Sequence, residues 1–144
     1  MSRTLHGKAV VPGEATGRAL VSRMPITLWG GLNPATGEIP DPRHDRCGEV
    51  VTGRVFVFPH EKGSSTASAI LLESIRRETA PAAIVTAATC PILALGSIVA
   101  DELYNRRVPM VVLSEPDLAT IGDGDQLTVF PDGTITITVP DSGS

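Results

Sequence analysis

The sequence is poor in aromatic residues and in cysteine. Aromatic residues make up only 3% of the 144 positions, while apolar residues make up 42%, so the core must be built mainly from Val, Ile, Leu and Ala. The two cysteines, Cys47 and Cys90, stand far apart, and a disulfide framework, a four-cysteine zinc site or a self-contained iron–sulfur cluster would need more. We therefore expect both cysteines to be ordinary reduced thiols.

Long apolar runs and an excess of basic charge are also missing. The N-terminal stretch from Met1 to His6 has no apolar segment of the signal-peptide kind, and no run in the chain approaches membrane-spanning length. The net charge is −4 and no basic face appears along the sequence, which argues against a nucleic-acid partner. The sequence therefore predicts a cytoplasmic protein with no membrane partner and no nucleic-acid partner.

Alternating apolar residues and turn signals predict strands and helices along most of the chain. The predicted strands cover residues 5–11, 14–21, 50–53, 54–58, 83–86, 108–113, 126–130 and 134–139. The predicted helices cover residues 69–77 and 92–104. Candidates for the buried side of the second helix are Leu93, Gly96, Ile98 and Leu103. The first two strands are expected to form a hairpin or to begin a meander.

This order of elements predicts the fold class. The predicted order is strands, then strand–helix–strand–helix–strand, then a hairpin around Asp132-Gly133. Such an order is typical of an α/β sandwich whose β layer is closed by the two ends of the chain. The apolar strand 108–113 is expected to be central, parallel and buried on both faces. Gly17 indicates a bulge or a close backbone approach. The length fits one domain, predicted to span residues 1–140, with a disordered tail at 141–144.

A long segment without periodicity, residues 24–49, separates the first strands from the rest. Structureless loops of this length are uncommon in compact domains and are usually functional. Trp29, the only tryptophan, lies beside Gly30 and Gly31, and glycines let a backbone approach a ligand closely; alternatively, the tryptophan pins the loop to the core. His44, between Asp41 and Asp45, is a candidate for orienting a substrate, with an exposed surface role as the alternative.

The sharpest chemical feature is the Lys62-Gly63-Ser64-Ser65 turn between a predicted strand and a predicted helix. The first N–H groups of a helix have no partner within it, and the helix dipole adds positive potential, so an anion is the natural occupant. Lys62 would reinforce such an anion pocket. The alternative is a serine that only caps the helix. The turn is neither a P-loop nor a Gly-x-Ser-x-Gly elbow.

Several ordered motifs resemble the small subunit, or swivel domain, of the aconitase X family of hydro-lyases. The resemblance extends from about Leu5 to Val139. Its motifs are Gly17-Arg18-Ala19-Leu20-Val21, Pro25-Ile26-Thr27-Leu28-Trp29-Gly30-Gly31, Asn33-Pro34-Ala35-Thr36-Gly37-Glu38-Ile39, Asp41 with His44, Gly53-Arg54-Val55-Phe56-Val57-Phe58-Pro59, Lys62-Gly63-Ser64-Ser65, Gly96-Ser97-Ile98-Val99-Ala100 and Val108-Pro109.

The resemblance implies a swivelling β/β/α fold and a larger partner subunit that carries an iron or iron–sulfur centre, with no cofactor on this chain. It also implies that Ser64 is the catalytic base. In related hydro-lyases an arginine follows the two serines, whereas Thr66 stands here, so carboxylate binding by that arginine does not transfer. The candidate substrate-binding residues are Lys62, Gly63, Ser65, Thr66, Gly30, Gly31 and His44.

Two small hydroxy-acid substrates follow from the resemblance. Bacterial members dehydrate cis-3-hydroxy-L-proline and archaeal members dehydrate 5-phosphomevalonate. The segment Asp101 to Arg107 and the long terminal hairpin look more like the bacterial type, so hydroxyproline is the predicted substrate and phosphomevalonate the alternative. Outside this family, the alternatives are a non-catalytic module that binds an anion or a protein, and a phosphate-transfer domain, for which His60 is misplaced.

Overall fold

A computed structural model describes residues 2–26, 31–61 and 67–138. Within these ranges the chain forms eight strands and three helices. The strands are β1 (Ser2–His6), β2 (Lys8–Val11), β3 (Ala15–Val21), β4 (Val55–Phe58), β5 (Ala83–Thr86), β6 (Met110–Val112), β7 (Gln126–Val129) and β8 (Thr134–Thr138), and the helices are α1 (Ala67–Arg76), α2 (Pro91–Tyr104) and α3 (Glu115–Ala119).

The strands form one mixed sheet in the order β1-β8-β7-β3-β4-β5-β6-β2. Strands β3 to β6 are parallel neighbours, whereas β1, β8, β7 and the first half of β3 pair antiparallel. The first and last strands pair with each other from Ser2↔Thr138 onward. This pairing confirms the prediction that the two ends of the chain close the β layer, and the β7–β8 hairpin confirms the Asp-Gly turn.

The prediction that strands 5–11 and 14–21 form a hairpin or begin a meander is wrong, because β2 pairs with β6 whereas β3 pairs with β4 and β7. Residues 5–11 are also not one strand. Strands β1 and β2 are separated only by Gly7, yet they lie at the two ends of the strand order, β1 against β8 and β2 against β6. A Cβ atom on Gly7 would lie 2.6 Å from a Val111 side-chain atom and 2.7 Å from the Val112 carbonyl oxygen. The glycine therefore lets one continuous segment pass between the two halves of the sheet, a pairing that local alternation does not reveal.

The core consists of two clusters on the two faces of the parallel strands. In β4, Phe56 and Phe58 pack in the cluster that includes Leu71 of α1 and Leu93 of α2. The intervening Val55 and Val57 belong to the cluster shared with β7 and β8. Because successive side chains of a strand point to opposite faces, β4 is apolar on both sides. The segment 108–113 is buried on both faces as predicted. Its predicted central place is wrong, because β6 lies second from the edge of the sheet, parallel to β5 but antiparallel to β2. The result is a β/β/α arrangement.

Helices α1 and α2 pack tightly side by side. A Cβ atom on Gly96 would lie 2.5 Å from the Ser68 carbonyl oxygen, so the approach of the two backbones requires glycine. The predicted burial of Leu93 and Gly96 is confirmed. The predicted burial of Ile98 and Leu103 is wrong: they are 49% and 62% exposed, because they lie on the face of α2 turned away from both α1 and the sheet.

The described residues between β3 and β4 are irregular, as predicted. The predicted strand at 50–53 is wrong, because Val50 makes only an isolated bridge to Glu38 and Gly53 has a φ of +72°, which turns the chain before β4. A Cβ atom on Gly17 would lie 2.7 Å from the Gly53 carbonyl oxygen, which confirms the predicted close approach. Cys47 and Cys90 are free cysteines. Among the described helices, none has the length and hydropathy of a membrane span.

Candidate functional site

The predicted serine turn connects two buried points at the carboxyl end of the parallel strands. It begins after Glu61, which is 8% exposed, and ends at Ala67, the first residue of α1, which is fully buried. Lys62, Gly63, Ser64, Ser65 and Thr66 themselves lie outside the described residues. Their catalytic and substrate-binding roles therefore stay predictions.

The glycine-rich loop, which we define as the stretch around Trp29, Gly30 and Gly31, starts beside the serine turn. Ile26 and Glu61 form an isolated parallel bridge, and the Ile26 N–H group donates to the His60 carbonyl oxygen at 3.2 Å. In the sequence, residues 27–30 follow Ile26 and the serine turn follows Glu61. Trp29 and Gly30 lie outside the described residues. The two loops that the sequence singles out therefore depart from one point at the edge of the sheet.

Gly31 is the first described residue after Ile26 in the glycine-rich loop. It is buried, and a Cβ atom there would lie 3.1 Å from the Ile26 Cγ1 atom. The loop thus closes against the residue from which it departs. This close packing is a structural reason for glycine at position 31, and its role in substrate binding stays a prediction.

His44 is buried at the end of β3 rather than exposed on the surface. Its Nε2 atom lies 3.3 Å from Ser22 Oγ, and its Nδ1 atom accepts the Arg46 N–H at 3.0 Å. An acceptor at Nδ1 assigns the proton of a neutral ring to Nε2, which then donates to Ser22. Both ring nitrogens therefore have partners in the chain. Contact with a substrate stays a prediction.

Asp45 completes a small polar cluster with Ser22 and His44. The Ser22 hydroxyl donates to Asp45 Oδ1 at 2.8 Å, and the Arg23 N–H donates to Oδ2 at 2.9 Å. Partial burial acts to raise the pKa of Asp45, but the hydrogen bonds from the Arg23 N–H and the Ser22 hydroxyl and the positive charge of Arg46 outweigh it, so the pKa lies below its ordinary value. Asp45 is thereby held as a carboxylate.

Arg46 adds a third contact from the same loop to β3. Its Nε atom donates to the Val21 carbonyl oxygen at 2.6 Å, and its guanidinium lies 3.6 Å from Asp123. Asp123 in turn accepts the Val21 N–H at 3.0 Å. Three consecutive loop residues, His44 to Arg46, therefore fix the end of β3. Of these three residues, only His44 is a candidate from the sequence, because the other contacts depend on how the loop returns to β3.

An open cleft of about 230 Å³ lies at the same edge of the sheet. Its position at the carboxyl ends of parallel strands is the usual place for a ligand in α/β proteins. Most of its lining is apolar, and Arg23 and Glu115 supply charge. Pro59, three residues before Lys62, also lines it. The cleft therefore adjoins the start of the serine turn. Its lining residues are Val21, Ser22, Arg23, Val57, Pro59, Ala87, Glu115, Leu118 and Ala119.

Comparison with curated proteins identifies relatives of two kinds. The chain is 36% identical over 124 residues to the phosphomevalonate dehydratase small subunit of Methanosarcina mazei, which covers 85% of this chain and 82% of that one. It is 40% identical over 108 residues to the cis-3-hydroxy-L-proline dehydratase of Pseudomonas aeruginosa, which covers 75% of this chain and 19% of that one. The second relative is therefore a much longer polypeptide.

Comparison with solved structures identifies a match over nearly the whole chain. The holo-form of Thermococcus kodakaraensis aconitase X matches with a TM-score of 0.85 and 31% identity, over 94% of this chain and 98% of that chain. The family model of the aconitase X swivel domain matches residues 4–137, which include both loops at the Ile26–Glu61 bridge. The chain therefore belongs to the aconitase X swivel domain family.

Proposed function

We propose that this chain is the small subunit of an aconitase X-type hydro-lyase that dehydrates a small hydroxy acid together with a larger subunit. The observation that carries the proposal is the family match over residues 4–137, within which the Lys62-Gly63-Ser64-Ser65 turn follows a parallel strand and precedes a helix. Relatives of similar length are named dehydratase small subunits.

Dehydration requires loss of a proton next to a carboxylate and loss of a hydroxyl from the neighbouring carbon. In the proposal, Ser64 takes the proton. An unperturbed serine hydroxyl is far too weak a base, so the cation of Lys62 and groups of the larger subunit must stabilise its alkoxide form. Loss of the hydroxyl is assigned to the larger subunit.

The start of α1 supports binding of the substrate carboxylate. This helix has ten residues and no acidic residue in its first turn, so no neighbouring negative charge opposes the positive end of its dipole. Gly63, Ser65 and Thr66 lead into it. We propose that these residues and Lys62 bind the carboxylate in place of the missing arginine.

The described part of this chain offers no site for a metal centre. It contains no group of three His, Cys, Asp or Glu side chains that would hold a metal ion. Iron and iron–sulfur centres need such ligands, so we assign the iron or iron–sulfur centre to the larger subunit. The isolated chain is then expected to be inactive.

For the substrate, cis-3-hydroxy-L-proline is the first proposal and 5-phosphomevalonate the second. The first is supported by 40% identity to the Pseudomonas aeruginosa enzyme. The second is supported by small subunits of similar length, such as that of Methanopyrus kandleri, which is 39% identical and of which this chain covers 88%. Dehydration of cis-3-hydroxy-L-proline would give a pyrroline-2-carboxylate.

The test is co-expression with the aconitase X large subunit encoded in the same genome, followed by assay of both substrates. The small subunit alone and the large subunit alone are the controls. We expect turnover only from the assembled pair, with one substrate strongly preferred. Assembly without turnover of either substrate would favour the non-catalytic binding module instead.

A further inference from the structure

Helix α2 carries most of the exposed apolar surface in the described part of the chain. Seven large apolar side chains there are more than a third exposed, and five of them belong to α2. Leu95, Ile98 and Leu103 are 52%, 49% and 62% exposed. Scattered exposed apolar residues are normal on soluble proteins, but a concentration on one element marks an interaction site.

One face of α2 consists of four of these side chains together with the exposed Glu102. We call the four apolar side chains the α2 stripe: Ile92, Leu95, Ile98 and Leu103. At 3.6 residues per turn they fall within an arc of about 140°. The opposite side of the helix is fully buried in the core through Leu93. Residues 91–100 of α2 carry no charged side chain on any side of the helix. A helix that is apolar all round is ordinarily buried all round, so this part of the α2 stripe has the composition of a covered surface.

The α2 stripe begins beside the proposed active site. Helices α1 and α2 both start at the carboxyl edge of the parallel strands. Gly96 contacts Ser68 closely, and Ser68 follows Thr66 by two residues. Ile92 and Leu95 therefore lie on the turns of α2 nearest to the place where the serine turn joins α1. A partner that reaches the serine turn from this edge meets the stripe as well.

The relatives indicate the kind of partner. The Pseudomonas aeruginosa relative contains the matching stretch as 19% of a longer chain, and the Methanosarcina mazei relative is named a small subunit. Permanent interfaces between such parts bury about 2,000 Å² or more and are strongly apolar. We propose that the α2 stripe is the surface on which the large subunit of the proposed dehydratase docks, an inference that rests on the proposed function.

The test compares matched charge substitutions in the co-expressed complex. Leu95→Glu and Ile98→Glu introduce a charge within the stripe, and Glu is a good helix former, so α2 should persist. Val50→Glu is the control, because Val50 is 43% exposed and lies outside α2. We expect the stripe variants to weaken binding to the large subunit about 100-fold or more, as loss of a central apolar contact does, while Val50→Glu leaves binding within about twofold of wild type.

Hydroxyl-radical footprinting of the wild-type pair gives a measurement that does not depend on any variant. Oxidation of Leu95, Ile98 and Leu103 should fall severalfold on assembly. Suppose that an active wild-type complex forms, that oxidation of the three side chains does not fall on assembly, and that the stripe variants bind as wild type does. The proposed docking surface is then wrong and the proposed function stands. If no active complex forms with wild type, both fail. Dimerisation of the isolated chain that Ile98→Glu abolishes, with binding to the large subunit unchanged, would overturn the proposal in favour of self-association.

Discussion

Ile26 and Glu61 are paired in a parallel bridge just beyond the ends of β3 and β4. Paired strands lie about 5 Å apart, so the glycine-rich loop and the serine turn start as close neighbours although 35 positions separate their anchors in the sequence. A substrate held between a glycine-lined backbone and a helix start would need such an arrangement. The bridge is thus the structural link between two motifs that the sequence presents separately.

The tight contact between α1 and α2 makes Gly96 a sensitive position. Gly96→Ala should lower the free energy of unfolding by about 1–3 kcal/mol, because its new Cβ atom would meet backbone atoms of Ser68 that cannot move away cheaply. The measurement is urea unfolding of the isolated chain. Leu95→Ala, on the exposed side of the same helix, is the control and should change the free energy by less than about 0.5 kcal/mol. Equal effects would contradict the packing described.

His44 offers a test that separates anchoring from substrate contact. His44→Ala should lower the free energy of unfolding by about 1–3 kcal/mol, because it leaves buried polar groups such as Ser22 Oγ with fewer partners. His44→Gln keeps a donor near the Nε2 position and should lose less.

In the assembled enzyme, KM distinguishes the two roles of His44. If the His44 ring only anchors the loop, both substitutions should change KM little once the complex has formed. A rise in KM of tenfold or more in both variants, with stability unchanged, would instead support the predicted contact with the substrate.

The lowered pKa of Asp45 predicts a defined pH dependence. A carboxylate whose pKa is lower in the folded than in the unfolded chain contributes stability above its unfolded pKa and loses it as the pH falls through the folded pKa. Titration of the Asp45 side chain by NMR should therefore give a midpoint below 3.8. Ser22→Ala, which removes one hydrogen bond to this carboxylate, should raise that midpoint. An unchanged midpoint would contradict the role of Ser22.

Much of the fold follows from local patterns. The apolar run Val55 to Phe58 predicts a strand, the run 108–113 predicts burial on both faces, and the Asp132-Gly133 pair predicts the last hairpin; all three are confirmed. The pairing of β1 and β2 with opposite ends of the sheet was not predictable, because it depends on contacts such as Gly7 against Val111 between residues far apart in sequence. Spacing along a helix cannot tell an apolar face that meets the core from one that is exposed, which is why the predicted burial of Ile98 and Leu103 is wrong.

The separate motifs of the candidate site are predictable from the sequence, but the contacts that bring them together are not. The serine turn and the glycine-rich loop are recognisable as motifs, whereas their common origin at the Ile26–Glu61 bridge requires the structure. The cluster of Ser22, His44 and Asp45 was also missed as a unit, since three ordinary polar residues carry no signal until the loop returns to the end of β3.

In the proposed mechanism, Ser64 of the serine turn is the base of an active site shared with the larger subunit. The most direct test is the turnover number of the assembled complex containing Ser64→Ala, compared with wild type and with Ser65→Ala. We expect Ser64→Ala to assemble normally and to lose turnover by a factor of about 1,000 or more, since general-base catalysis contributes roughly 100- to 10,000-fold. Ser65→Ala should raise KM with a smaller loss of turnover. Turnover by the Ser64→Ala complex within about tenfold of wild type would contradict the proposed mechanism.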